Sequence, residues 1–263
     1  MKKYLLSLLA IAAIICASCE KKPQPGPKPD DPDDPEQPQY VQPITIDGDF
    51  ADWAKLDQSK VASAKCDAAT SEGWNAVKEI RVYADELYVF FYIEYDNSKI
   101  GDLLAAASGE KMNSEGQMEK IGLPIRLNLN TDGEFTSGYT SYSLDGYDFI
   151  IEGSLAEDGA WKSFDGTLYQ RIGGWQNLKD AGNGLCSGAG NGNKYEICMI
   201  RELFNAAAGA SAEPKLMGDE FQAGIRFYTP DWSELSNMPN GPVTEENSKG
   251  YGHLLNVVTV ASE

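Results

Sequence analysis

The sequence predicts an all-β protein, a jelly-roll-like sandwich of two antiparallel sheets with one or two short helices. From residue 41 onward, short segments of alternating apolar and polar residues are separated by glycine-containing turn dipeptides. Strands and helices do not alternate along the chain, as they would in a parallel α/β fold. Residues 41–263 are long enough for one large β-domain or two small domains, and their apolar content is sufficient for a real core.

The clearest element is a hairpin formed by Val77 to Tyr83 and Leu87 to Tyr95. Its second strand carries apolar or aromatic side chains at both sets of alternating positions, which predicts a central strand buried on both faces. Seven further strands are expected, over Pro43 to Ile46, Ile125 to Leu129, Tyr147 to Gly153, Thr167 to Arg171, Tyr195 to Ile200, Phe221 to Tyr228 and His253 to Val260.

Helical and irregular segments are few. Phe50 to Trp53 resembles a single helical turn, with Trp53 as a core anchor, and Asp102 to Ala107 and Arg201 to Ala208 are the two short helix candidates. Gly182 to Gly192 consists largely of Gly, Asn and Ser, which predicts a loop.

Residues 1–18 resemble a bacterial lipoprotein signal peptide. A basic start at Lys2 and Lys3 precedes an apolar run, and Ala17 and Ser18 lead into Cys19. The apolar run is too short to remain as a membrane span. The resemblance implies export, with lipid attached to Cys19 at the mature N-terminus, although Cys16 stands where Leu is usual.

Residues 19–40 form a predicted linker that is crowded with Pro, Asp, Glu and Gln. Proline favours polyproline II and like charges repel, so the stretch from Lys21 to Gln39 reaches up to roughly 60 Å from a lipid surface. The linker is therefore a spacer, or alternatively an acidic sorting signal for the cell surface.

The formal net charge is −18. Because binding to phosphate requires Lys and Arg to neutralise it, this charge argues against a nucleic-acid partner. Past Cys19 there are three cysteines, Cys66, Cys186 and Cys198, and their spacing matches no zinc motif. Cys186 and Cys198 either bridge a short loop or leave Cys198 as a small buried residue in a strand.

Five segments, taken in their order along the chain, resemble the family 9 carbohydrate-binding modules and their relatives. They are Ile44 to Gly48 followed by Asp52-Trp53, Tyr83 to Val89, Ile125 to Gly138, Tyr195 to Ile200, and Phe221 to Phe227 with Asp231-Trp232. The resemblance implies a β-sandwich that binds sugar without cleaving it. It also implies two tryptophans that stack on the sugar. The first is expected within Ser98 to Lys120, which has no aromatic residue, and Trp232 lies near the expected place of the second.

Three tryptophans are predicted to lie on loops beside polar residues, which suits stacking on a sugar ring with hydrogen bonds to its hydroxyls. The alternative is that each caps an end of the hydrophobic core. The candidate ligand-binding residues are Trp74, Trp175 with Gln176 and Asn177, and Trp232 with Asp231.

Asn130 and Asp132 lie in a turn whose oxygen atoms suit calcium, although turn formation alone explains them. His253 is the single histidine and no Gly-x-Ser-x-Gly elbow is present, so no catalytic residues are assigned.

The sequence as a whole predicts a non-catalytic polysaccharide-binding lipoprotein, anchored in the outer membrane and displayed at the cell surface for polysaccharide utilisation. The alternative is a structural or interaction lipoprotein, an accessory subunit or adhesin, whose sandwich contacts a protein partner.

Overall fold

The computed structural model describes residues 40–66, 76–140, 145–178 and 184–261. These residues belong to one compact unit, Tyr40–Glu263. The predicted signal peptide, Cys19, nearly all of the linker and Trp74 lie outside the described residues. Among the helices of the described part, none has the length and apolar character needed to cross a membrane.

Strands dominate the described residues, with two α-helices, α1 (Asn97–Ala106) and α2 (Arg201–Gly209), and two short 3-10 helices, Phe50–Ala54 and Gln58–Lys60. The strands are β1 (Ala62–Lys65), β2 (Val77–Asp85), β3 (Tyr88–Tyr95), β4 (Glu110–Met112), β5 (Met118–Lys120), β6 (Gly122–Asn130), β7 (Phe149–Glu157), β8 (Ala160–Trp161), β9 (Thr167–Ile172), β10 (Gly174–Asn177), β11 (Cys186–Asn191), β12 (Lys194–Ile200), β13 (Glu220–Tyr228), β14 (Glu234–Met238) and β15 (Leu255–Val260).

The main strands form two layers joined through β15, which pairs antiparallel with β13 and parallel with β2. The first sheet has the order β2–β3–β12–β11, with β1 beside β2. In the second sheet the order is β10–β9–β7–β6–β13, with β14 beside β13 and β8 beside β7. Strands β4 and β5 form a separate hairpin. The predicted all-β fold with short helices is confirmed.

A single large apolar core fills the space between the two sheets. The inward residues of β3 meet those of the second sheet, as where Tyr95 contacts the edge of Phe227 with ring centroids 5.7 Å apart. On the other face of β3, Phe90 and Tyr92 pack against Ile44 and Trp53 of the N-terminal segment. Strand β3 is therefore central and buried on both faces, as predicted, and Trp53 is a core anchor with 1% of its surface exposed.

Several predicted elements differ in the structure. The helix predicted over Asp102 to Ala107 begins earlier, at Asn97, and other segments differ in type. Pro43 to Ile46 is not a strand, because this segment crosses the outer face of the first sheet to bury Ile44 rather than pairing along an edge. Residues 186–191, predicted as loop, form β11. Its glycines lie directly against aromatic rings, since a Cβ atom at Gly188 would fall 2.7 Å from Tyr195 and one at Gly190 would fall 2.6 Å from Trp161.

The cysteines of the described residues are free thiols. Cys186 belongs to the central core, whereas Cys198 on the neighbouring strand belongs to the cluster on the opposite face of the sheet. Since the two side chains point to opposite faces, they do not bridge. The alternative of a buried thiol at Cys198 is the one observed.

Candidate functional site

The outer face of the second sheet collects aromatic, cationic and acidic side chains. In β6 the residues Ile125, Leu127 and Leu129 point into the core, so the intervening Arg126 points outward. Strand register then places Glu152 of β7 directly opposite Arg126. We call this surface the aromatic–arginine face and define it by seven residues, Arg126, Glu152, Tyr169, Arg171, Trp175, Tyr228 and Trp232.

Trp232 is the exposed member of this face. It lies in the turn after β13, adopts a φ of 67°, and exposes 40% of its surface. Its backbone N–H donates to the carbonyl of Thr229 at 2.8 Å. The Asp231 carboxylate accepts hydrogen bonds from the Thr229 hydroxyl and from the backbone N–H of Ser233. These bonds lower the pKa of Asp231, which therefore shapes the turn that presents the indole.

Arg126 fixes the position of the indole from below. Its guanidinium donates from Nε to Glu152 at 2.6 Å and from a terminal nitrogen to the hydroxyl of Tyr228 at 3.0 Å. The same guanidinium lies 5.1 Å from the ring centroid of Tyr228 and 5.5 Å from that of Trp232, and the two rings are 5.3 Å apart. Trp232 thus packs against the ordered side chains of Arg126 and Tyr228, and the rest of its indole is exposed to solvent.

A groove of about 220 Å³ opens beside Trp232. On one side stand Trp232 and Pro230, and on the other stands the β4–β5 hairpin, whose Lys111 ammonium donates to the Pro230 carbonyl at 3.4 Å. The floor is formed by outward residues of β6 and β7. Polar side chains along the groove are Lys111, Glu119, Lys120, Glu152, Ser154 and Glu157.

A second aromatic group lies at the other end of the face. Trp175, predicted on a loop, instead lies in strand β10. It stacks on Tyr147, with ring centroids 5.9 Å apart and planes at 20°, and lies 6.0 Å from Tyr139. The guanidinium of Arg171, opposite Trp175 in the β9–β10 pair, is 5.6 Å from the Trp175 centroid and 5.7 Å from that of Tyr139. Trp175 is partly exposed and partly packed against Ile150 and its neighbours.

The amides predicted beside Trp175 divide between the two faces of the hairpin. Because side chains alternate along β10, Asn177 shares the side of Trp175 and Gln176 lies on the opposite side. Both are exposed, and the Gln176 amide donates to the Ile172 carbonyl at 3.4 Å. Asn177 thus lies on the same side of the sheet as the aromatic–arginine face, and Gln176 does not.

Tyr169 lies between the two ends of the face. It packs with Ile150, and the charges of Glu152 and Arg126 act on its hydroxyl, whose pKa burial raises. By strand geometry, Arg126 and Arg171 are separated by roughly 13 Å along the strands and roughly 10 Å across them. A ligand that contacts both ends must therefore be extended.

The predicted calcium ligands lie in a turn that holds a lysine. The side-chain amide oxygen of Asn130 accepts a hydrogen bond from the backbone N–H of Gly133 at 2.8 Å. Asp132 is 2.8 Å from the ammonium of Lys215, which also binds the buried Asp148. The described residues include no group of three or more His, Cys, Asp or Glu side chains that could hold a metal ion. Calcium at this turn stays a prediction and would require the Lys215 ammonium to move.

Arg126, Glu152, Tyr169, Arg171 and Tyr228 were not predicted as site residues from the sequence. The available signal was their place in predicted strands at positions that alternate with apolar residues. That pattern shows which side chains of a strand point away from the core. It does not show which strands are neighbours in the sheet, so it does not bring these residues together.

A comparison of the chain with the models of known protein families and with curated proteins finds no match.

Proposed function

We propose that this protein is a lipid-anchored, non-catalytic envelope protein that binds polysaccharide at the aromatic–arginine face. The observation that carries the proposal is the indole of Trp232, 40% exposed beside a groove of about 220 Å³. A flat apolar ring next to fixed hydrogen-bonding groups suits a sugar, whose ring has an apolar side and a rim of hydroxyls. Arg126 and Glu152 supply a donor and an acceptor in ordered positions.

The position of Tyr40, where the predicted linker ends, also favours this proposal. The hydroxyl of Tyr40 donates to Asp85 at 2.6 Å, and its ring lies 5.9 Å from Tyr88 on the outer face of the first sheet. The groove lies on the outer face of the second sheet, across the core. A linker that joins the domain at Tyr40 would leave the groove directed away from its point of attachment.

The test is affinity electrophoresis of the mature protein through gels that contain a panel of plant, algal and animal polysaccharides. We expect retardation by at least one polysaccharide and roughly a tenfold weaker interaction for Trp232→Ala, which corresponds to about 1.4 kcal/mol. Trp161→Phe is a matched control, because Trp161 packs against Tyr95 and Tyr195 away from the groove. Absence of retardation by every polysaccharide would reject glycan binding. Release of reducing sugar would reject the non-catalytic part.

Lipid anchoring is tested separately. Cells that express the chain are fed an alkyne-labelled fatty acid, and the protein is examined for label and for membrane association. We expect both in the wild type and neither in Cys19→Ala. Equal labelling of the two proteins would reject Cys19 as the lipidated residue.

One observation favours the second candidate, a protein-binding role. Met112 and Met118 form a cross-strand pair on the β4–β5 hairpin and are 69% and 58% exposed. Exposed methionines are typical of adaptable protein contacts. If this second role is correct, the replacement of both methionines by Ser would abolish co-purification of a protein partner. If only the polysaccharide-binding role is correct, the same replacement would leave retardation by polysaccharide unchanged.

A further inference from the structure

Building on the glycan binding proposed above, we propose that the ligand is an acidic polysaccharide and that the guanidinium of Arg171 binds the carboxylate of a uronic acid unit. The structural basis is the concentration of arginine on one sheet face. The chain has five arginines and a net charge of −18. Three of the five, Arg126, Arg171 and Arg226, point outward from the second sheet.

Arg171 differs from the neighbouring arginines because none of the acidic residues that the structure describes pairs with it. Arg126 is 2.6 Å from Glu152, Arg226 is 3.5 Å from Glu234, and on the first sheet Arg81 is 2.9 Å from Glu79. Within the described ranges, Arg171 forms no ion pair with a carboxylate. It is only partly exposed, so its charge is neither neutralised by the protein nor left fully in bulk water.

Two aromatic rings hold the side chain of Arg171, and its guanidinium donates no hydrogen bond to the residues that the structure describes. Its guanidinium lies 5.6 Å from the centroid of Trp175 and 5.7 Å from that of Tyr139, distances typical of cation–π contacts. The backbone N–H of Arg171 donates to the Asp148 carbonyl at 2.7 Å, which fixes the base of the side chain. The planar fork of N–H groups thus stays available and matches a carboxylate in a bidentate arrangement.

The negative net charge of the chain determines how an acidic polysaccharide would have to be recognised. Because a strongly acidic surface repels a polyanion as a whole, general electrostatic attraction would not drive binding. A single arginine beside aromatic rings favours recognition of one carboxylate on a sugar whose ring also contacts Trp175. We therefore expect a preference for a uronate over the same sugar in neutral form, with only mild weakening by salt.

The test compares three uronic acid polymers, polygalacturonate, alginate and hyaluronan, with their carboxyl-reduced counterparts by isothermal titration calorimetry on the mature protein. For at least one pair we expect the acidic form to bind about tenfold more tightly. Arg171→Met should weaken binding of the acidic form about tenfold more than binding of the reduced form, and so remove this preference. Arg81→Met, which removes the same charge from the first sheet, should leave both affinities unchanged.

Each result is assigned to one of the two proposals. Equal binding of the acidic and reduced forms by the wild type, or binding of neutral polysaccharides alone, would overturn the acidic-ligand inference and leave glycan binding intact. Equal weakening of both forms by Arg171→Met would also overturn it, because the residue would then be supporting the fold of the site. Failure of every polymer in the calorimeter and in the electrophoresis panel would overturn both proposals.

Discussion

The indole N–H of Trp53 donates a hydrogen bond of 3.2 Å to the carboxylate of Glu196, which is fully buried in β12. The same carboxylate accepts from the backbone N–H groups of Asp47 at 3.1 Å and Gly48 at 3.0 Å. The Glu196 side chain therefore links, by hydrogen bonds, two segments that are 143 residues apart in the sequence. Both lie in segments on which the predicted resemblance rests, one with an Asp-Gly turn leading to a Trp and the other with a late strand that bears a Glu.

We expect Glu196→Gln to lower the free energy of unfolding by about 1–3 kcal/mol. The side-chain amide nitrogen of Gln is a donor, and it would face a buried N–H group that is also a donor. Chemical denaturation with urea at neutral pH measures the loss. Glu94→Gln, a change on the neighbouring strand at a partly exposed ion pair, is the control and should stay within about 1 kcal/mol of the wild type. Similar losses for both variants would contradict this account.

The same residue gives the protein a pH dependence. Burial raises the pKa of Glu196 above its ordinary value of 4.5. The folded state therefore binds this proton more readily than the unfolded state, and the contribution of Glu196 to stability falls as the pH rises from 4.5 through the raised pKa. We predict that the stability gap between wild type and Glu196→Gln is wider near pH 4.5 than at pH 8. Denaturation curves in which the gap narrows toward acid would reverse the assigned sign.

Lys215 neutralises a buried acid, and its removal should be costly. Asp148 exposes only 1% of its side chain, and burial raises its pKa. Removal of one partner of such a pair costs about 3–5 kcal/mol, since the other charge stays buried alone. We expect Lys215→Met to lose stability in this range and to lose much less in an Asp148→Asn background. An equal loss in both backgrounds would show that the two residues are not coupled.

Asn128 lies in β6 with 1% of its surface exposed, and within the described part of the chain neither side-chain amide atom has a hydrogen-bond partner. Because an unpartnered buried amide is unfavourable, Asn128→Val should raise the free energy of unfolding by about 1 kcal/mol. Asn237→Val is the matched control and should lower stability, since that amide donates to the Pro239 carbonyl at 3.0 Å. A lower melting temperature for Asn128→Val would contradict the prediction.

Thiol reactivity should separate the cysteines. Burial raises the pKa of Cys198 to about 12 and that of Cys186 well above its usual value, whereas Cys66 is only partly buried. In a soluble variant that begins at Glu20, Ellman's reagent should react first with Cys66 and reach the other two only after denaturation. Rapid reaction of all three thiols in the native protein would contradict the assigned burial.

The long strands with alternating apolar side chains were predictable, whereas the short strand β1 was not. The β2–β3 hairpin and the burial of both faces of β3 follow from its aromatic and aliphatic pattern alone. Strand β11 was not, because Gly188 and Gly190 carry no side chains to alternate. Glycine is required at these two positions because the rings of Tyr195 and Trp161 occupy the space that a Cβ atom would need.

The candidate site was predictable only in part. The turn position of Trp232 follows from its Pro-Asp-Trp-Ser sequence. Asp231, also predicted to bind the ligand, forms hydrogen bonds that stabilise this turn, and its contact with a ligand stays a prediction. The partners of Arg126 lie 26 and 102 residues away along the chain, in Glu152 and Tyr228. Only the register between distant strands brings them together, and no local pattern encodes that register.

Footprinting of the tryptophans gives the most direct test that glycan contacts Trp232. The mature protein is exposed to hydroxyl radicals with and without the polysaccharide that retards it most, and oxidation at each tryptophan is quantified by mass spectrometry. Trp232, being 40% exposed, should oxidise readily alone and become protected by the polysaccharide, while Trp53, with 1% of its surface exposed, stays unmodified in both samples. Unchanged oxidation of Trp232 in the saturated complex would place the glycan elsewhere and contradict the account.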